Sequence, residues 1–218
     1  GGARAINMGV ARRAEALSAR NLVAEVRYGF VKGTPAIADA IYGFSSHEII
    51  VYPLFFSEGY FTRQRLPGIL REASAADSRL LFRVLPPLGV DPALSALVVE
   101  QAAATAHGHG VPCEQTTVVL LAHGSHTDQA SRMSAEGLAS LVRQTRRFRS
   151  ARIALLEGEP ALRDTTADVL GPIIVVGLFA GEGQHGADDA PRLIAELKRH
   201  DIIFAGTVGT AGLGALVV

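Results

Sequence analysis

Two parts of this 218-residue chain repeat one another in order, and this duplication constrains its fold more than any other feature. Gly33-Thr34-Pro35-Ala36-Ile37 resembles Gly158-Glu159-Pro160-Ala161-Leu162, and Ile49–Phe55 (IIVYPLF) resembles Ile173–Phe179 (IIVVGLF). Each of the latter runs enters a glycine loop, Ser57-Glu58-Gly59-Tyr60-Phe61 in one and Gly181-Glu182-Gly183-Gln184-His185 in the other. Pro67 and Pro191 stand at the same distance beyond Phe61 and His185, and Ala93–Val99 (ALSALVV) matches Gly212–Val218 (GLGALVV). So many colinear anchors mean that one supersecondary unit is used twice.

The unit is read most easily in its second copy. Thr116–Ala122 is a short apolar, β-branched run bounded by polar residues and Gly124, the pattern of a buried parallel strand. Gln129–Thr145 has helical spacing, with Met133, Leu138, Leu141 and Val142 on one side. Ile153–Leu156, Ile173–Phe179 and Ile202–Ala205 are further strands, Leu162–Val169 a helix, and Pro191 sits near the start of another helix. Strand–helix alternation predicts an α/β fold of two similar halves, each a parallel sheet flanked by helices, facing a central cleft. Ala102–Gln115 reads as a helix end and a linker, which divides the chain into residues 1–111 and 112–218.

Composition narrows the function. Lys plus Arg equals Asp plus Glu, 21 against 21. This argues against a polyanion binder, which needs clustered excess cations. The basic cluster Arg143, Arg146, Arg147 and Arg149 reads as a solvated helix end. The single cysteine, Cys113, rules out an intramolecular disulfide framework and fits a reducing compartment. No apolar run reaches the roughly 18–20 residues of a membrane helix, and the first residues do not resemble a signal peptide. A cytoplasmic protein with no nucleic-acid or membrane partner is expected.

In open parallel sheets, functional groups collect outside the carboxyl ends of the strands. His123 follows the first strand of the second half, Glu157 and Glu159 follow the second strand, and His185 follows the third. Imidazole with carboxylate suits a borderline divalent ion such as iron, cobalt, nickel or zinc, and suits proton transfer equally. The plainer alternative is that these are turn residues capping helices. His126 lies at the rim. His107 and His109 belong to the expected flexible linker, and His47 and His200 to turns before strands. The first half lacks the matching groups: Phe61 stands opposite His185, Lys32 opposite Glu157, Arg65 opposite Asp189, and Arg63 is close by. A weaker alignment sets Met8-Gly9 against His123-Gly124. Cations on a cleft wall would hold a carboxylated ligand, unless the first half has kept only its core. A histidine-phosphatase motif is excluded by Ala122 before His123, and Ser125 lacks a nucleophile-elbow context. No phosphate-loop or dinucleotide glycine pattern follows a strand.

Leu121-Ala122-His123-Gly124-Ser125, the Glu159-Pro160 pair, and Gly183, His185, Asp188, Asp189 and Pro191 together resemble the sirohydrochlorin chelatase family, the CbiX-like class II chelatases. The resemblance covers residues 116–210 and recurs in degenerate form over 5–99. It implies a lyase that inserts divalent cobalt or iron, with nickel a third option, into sirohydrochlorin during cobalamin or siroheme synthesis. No ATP or organic cofactor is implied, and a monomer or homodimer fits equally. The family's two active-site histidines carry over to His123 and His185. Its acid maps to Glu159 or Glu157, because Leu156-Glu157-Gly158-Glu159-Pro160 is one residue shorter than the family pattern. His123 and His185 would bind the metal and His185 would also accept a pyrrole proton. The acid would take the second proton, and Lys32, Arg63, Arg65 and Ser125 would contact the substrate. Two other readings stay open: a non-catalytic metal or tetrapyrrole binder, and an ester hydrolase using His123, His126 and Ser125.

Overall fold

The computed structural model describes residues 2–126, 128–179 and 188–208. Its larger sheet has four parallel strands in the order β4-β3-β5-β6: β3 (Thr117–Gly124), β4 (Ser150–Glu157), β5 (Ile173–Gly177) and β6 (Ile202–Thr207). Val118, Val119, Leu120 and Leu121 of β3 are all fully buried. A continuous apolar run of this kind needs cover on both faces, and helices supply it. Val118, Leu120, Ile174 and Val176 share a core with α5 (Ala130–Gln144) through Ala135, Leu138 and Val142. Their alternates Val119, Leu121, Ile173 and Val175 share the other core with Leu162 and Val169, and with Leu193 and Ile194 of α7 (Ala190–Glu196). Between β4 and β5 the chain crosses over through α6 (Leu162–Thr166).

The smaller sheet pairs β1 (Glu48–Val51) with β2 (Leu81–Val84) in parallel, as β5 pairs with β6. The duplication is visible in backbone detail. Phe30 and Leu155 each form an isolated parallel bridge, to Ala36 and Ala161 respectively. In each copy the bridging residue's N–H donates to the proline carbonyl, Phe30 to Pro35 at 2.9 Å and Leu155 to Pro160 at 2.8 Å. Both Thr34-Pro35 and Glu159-Pro160 are cis, and each turn leads into a five-residue helix, α2 (Ile37–Ile41) or α6. Further on, α3 (Leu66–Ala76) and α7 both start with proline in the first turn, where its missing N–H goes unneeded.

The match of Met8-Gly9 to His123-Gly124 is corrected. Residues Gly2–Ser18 form a helix, α1, rather than a strand running into a turn. Its sequence has repeated Ala, no Pro and no β-branched run, which favours a helix. By its place before the Phe30 bridge, α1 corresponds to α5, and β3 has no counterpart among the described residues. The helix end expected at Ala102 also runs further. α4 (Leu94–Gly108) includes His107 in its last turn, and His109 is its C-cap, with ring Nδ1 2.9 Å from the Thr105 carbonyl. Although α4 follows β2 in sequence, Leu94, Val98, Ala102 and Ala106 are completely buried in the core of the larger sheet. Tyr52, Leu54 and Phe56, which continue from β1, pack against that same core. Arginines at the end of α5 and just beyond it are engaged by neighbouring groups. Arg147 pairs with Glu100, Arg143 reaches Glu136 and the Ala151 carbonyl, and Arg149 donates to the Leu170 carbonyl.

Candidate active site

Strand order reverses at β3. From β3 the chain steps to one neighbour, β4, then crosses over to the other, β5. The crevice outside the carboxyl ends of β3 and β5 is therefore the topological switch point, where such sheets place ligands. His123 stands there, the penultimate residue of β3, with its side chain exposed. The Leu178 N–H donates to the Leu121 carbonyl at 2.8 Å and holds the start of the loop after β5 against β3. His185 comes eight residues after Gly177 in the sequence and is outside the described residues.

Local geometry fixes the histidine. Its Nδ1 is 3.2 Å from the Gly124 carbonyl, an acceptor, so in the neutral tautomer that donates from Nδ1 the lone pair is on Nε2. Gly124 has φ +79°, and its register partner is Glu157. A Cβ at Gly124 would stand 2.0 Å from the Glu157 carbonyl oxygen. Only glycine allows the two strand ends to approach this closely. The Gly124 N–H donates to Ser131 Oγ at 3.1 Å. The Asp128 N–H donates to Ser125 Oγ at 3.2 Å, and the Ala130 N–H to Asp128 Oδ1 at 2.8 Å. These bonds form an Asx-type turn into α5 that anchors the segment after His123. Glu157 and Glu159 flank Gly158 (φ +96°) at the end of β4, both exposed. His126 is exposed on the rim, and His47 and His200 are exposed in the turns before β1 and β6.

The other rim comes from the first half. A Cβ at Gly59 would lie 3.2 Å from Asp128 Oδ2 and 3.7 Å from Ala130 Cβ, so the loop after β1 rests against the loop after His123. Lys32, Arg63 and Arg65 are all exposed. Arg63 pairs with Glu58 at 3.4 Å, beside a cavity of about 250 Å³ lined by Pro53, Thr62, Val84 and Pro86. The Lys32 ammonium lies 5.7 Å from the centroid of the Phe61 ring. The structure thus brings His123, Ser125, Glu157 and Glu159 to one strand edge and Lys32 next to Phe61. Among the described residues, no three His, Cys, Asp or Glu side chains converge as a metal site. A cavity of about 620 Å³ lies elsewhere, between α4 and β6. None of the described helices is long and apolar enough to cross a membrane. Sequence reasoning missed Ser131 and Asp128, whose signal was the Ser-x-x-Asp-x-x-Ser spacing (Ser125, Asp128, Ser131). It also missed Phe55 and Tyr60 as companions of Phe61.

A duplicated α/β fold with His123 at the switch point agrees with the chelatase resemblance of the sequence. The chain belongs to the CbiX family, whose model matches residues 4–105 and 117–213. A protein of Halobacterium salinarum named probable sirohydrochlorin cobaltochelatase is 26% identical over 227 residues, 89% of this chain and 77% of that protein. Among solved structures, CbiX, described as the terminal enzyme for biosynthesis of siroheme in denitrifying bacteria, superposes with TM-score 0.78 at 30% identity. That match covers 98% of this chain and 88% of the other. SirB from Bacillus subtilis with Fe3+ shares the fold at TM-score 0.77 and 19% identity, covering 93% and 82%.

Proposed function

We propose that this protein is a sirohydrochlorin chelatase, inserting divalent cobalt or iron, without ATP, during cobalamin or siroheme synthesis in the cytoplasm. The observation that carries the reading is the position of His123 at the switch point of a CbiX-family fold, with its Nδ1 committed to a carbonyl. Nε2 is then the nitrogen that meets the incoming metal, with His185 as the second imidazole. Insertion requires the metal to shed water while two pyrrole N–H protons leave. Neutral imidazole can accept one near pH 7, and we assign that step to His185. Glu157 or Glu159 takes the second. Lys32, Arg63 and Arg65, on residues 1–111, hold the substrate's carboxylates by charge-assisted hydrogen bonds. Ser125 keeps the His123 loop in place at the substrate's edge. Residues 112–218 thereby supply the metal chemistry and residues 1–111 hold the macrocycle.

The test is anaerobic absorbance of sirohydrochlorin with Co2+ or Fe2+, comparing wild type with His123→Ala and His185→Ala. The reading expects metal-dependent spectral conversion above background, reduced at least about 100-fold in each variant, by analogy with loss of a catalytic proton-transfer group. Binding without turnover in wild type would overturn catalysis and leave a carrier.

A further inference from the structure

Three aromatic rings cluster at the first-half rim, in a chain with only 9 Phe, 4 Tyr and no Trp. Phe55 and Phe61 are parallel within 1°, centroids 5.8 Å apart. Tyr60 meets the Phe61 ring edge-on at 5.6 Å. Tyr60 is 56% and Phe61 36% exposed. Exposing such rings forgoes burial that would stabilise the fold, and the neighbouring Tyr52, Leu54 and Phe56 do not share this exposure, because they pack on the core of the larger sheet. Gly89 admits the Phe56 backbone to within 2.1 Å of where its own Cβ would stand, so this stretch is held firmly from behind. Phe61 occupies the repeat position of His185, and Lys32 that of Glu157. Since Gly59 abuts Asp128 and Ala130, the loop that carries Tyr60 and Phe61 adjoins the loop after His123.

We propose that Phe61, backed by Phe55 and flanked by Tyr60, is the platform on which one face of the tetrapyrrole lies, with Lys32 meeting a carboxylate at its margin. The proposal rests on the chelatase reading for the identity of the ligand. A conjugated, polyanionic macrocycle fits because it offers an extended π face to the rings and negative charge to Lys32. The repeat position that carries the second imidazole in one half of the sequence carries a macrocycle-binding ring in the other. Macrocycle affinity and metal affinity should therefore be separable by mutation.

The experiment titrates metal-free sirohydrochlorin anaerobically against wild type, Phe61→Ala and Phe61→Leu, and measures turnover with Co2+ in parallel. Phe61→Ala is expected to raise the tetrapyrrole Kd and KM about tenfold, from the loss of ring–macrocycle contact. The KM for Co2+ should stay within about twofold. Phe61→Leu preserves apolar bulk if the alanine variant does not fold, and should still weaken tetrapyrrole binding about threefold. Unchanged tetrapyrrole affinity in a cooperatively folded variant, with wild type turning over, overturns the platform and leaves the chelatase reading intact. Weakened binding in the variants, with no turnover in wild type, supports the platform and overturns the chelatase reading. A wild type that binds no tetrapyrrole overturns both.

Discussion

Adding one methyl group at Gly124 sets up a conflict whose size follows from the backbone. Its φ of +79° lies in the left-handed region, which costs a residue with a Cβ about 1–2 kcal/mol. The new Cβ would also stand 2.0 Å from the Glu157 carbonyl oxygen and 2.9 Å from Leu155 Cβ. Neither neighbour is the far end of a flexible side chain, so β4 must move off β3. Overpacking of this kind costs about 1–3 kcal/mol. Together the two effects give about 2–5 kcal/mol, a large share of the ~5–15 kcal/mol that stabilises a typical domain. The melting temperature of Gly124→Ala should fall by about 4–20 °C, measured by circular dichroism. Gly137→Ala is the matched control: on the exposed face of α5, its Cβ would meet nothing within 4 Å. There alanine should raise stability by about 0.5–1 kcal/mol through helix propensity. A Gly124→Ala protein melting within about 2 °C of wild type would refute the argument that this close approach locks the strand ends beside His123.

Leu120→Ala, at a completely buried site in the central strand, should cost about 3–5 kcal/mol, whereas Met133→Ala, 69% exposed, should change stability by less than about 0.5 kcal/mol; chemical denaturation checks both. Arg152 grips Asp168 through two hydrogen bonds and holds its carboxyl below the usual range. A depressed carboxylate contributes stability that is present above its unfolded pKa and lost as pH falls through its folded one. Asp168→Asn should therefore melt below wild type at pH 7, with the gap closing in acid as the pH falls below the ordinary 3.8 and the carboxyl protonates; a gap that persists once it is protonated would contradict the pairing. The Asp77 carboxyl, held chiefly by the Arg79 side chain, is pushed down to about 2, and carboxyl NMR titration should place its midpoint well below the ordinary 3.8.

Legibility followed how local the determining forces are. The strands of the larger sheet could be read because burial on both faces leaves nothing but Val, Leu and Ala from Val118 to Ala122. The repeat could be read because Gly33-x-Pro35 and Gly158-x-Pro160 build the same turn from the same residues. By contrast, Ile49–Phe55 looks like seven residues of strand, yet β1 ends at Val51. Pro53 has no N–H for a ladder, and the rest of the run serves packing instead. The N-terminal helix was misaligned because the match of Met8-Gly9 rested on one glycine, while helix propensity across Gly2–Ser18 pointed elsewhere. His123 was found through its position after a strand. Ser131, bonded to the adjoining Gly124, and Phe55, stacked on Phe61, were not, since their roles depend on how the loops after β3 and β1 fold.

The location of α4 bears on how the chain comes off the ribosome. This helix is complete once Gly108 has been added, yet β5, the first finished of the strands it packs on, is not complete until Gly177, about seventy residues later. At ordinary synthesis rates that interval lasts about 4–14 s. Throughout it, Leu94, Val98, Val99 and Ala102 form an apolar stripe whose receiving strand is unfinished, so α4 can dock only after much of the second half has been made.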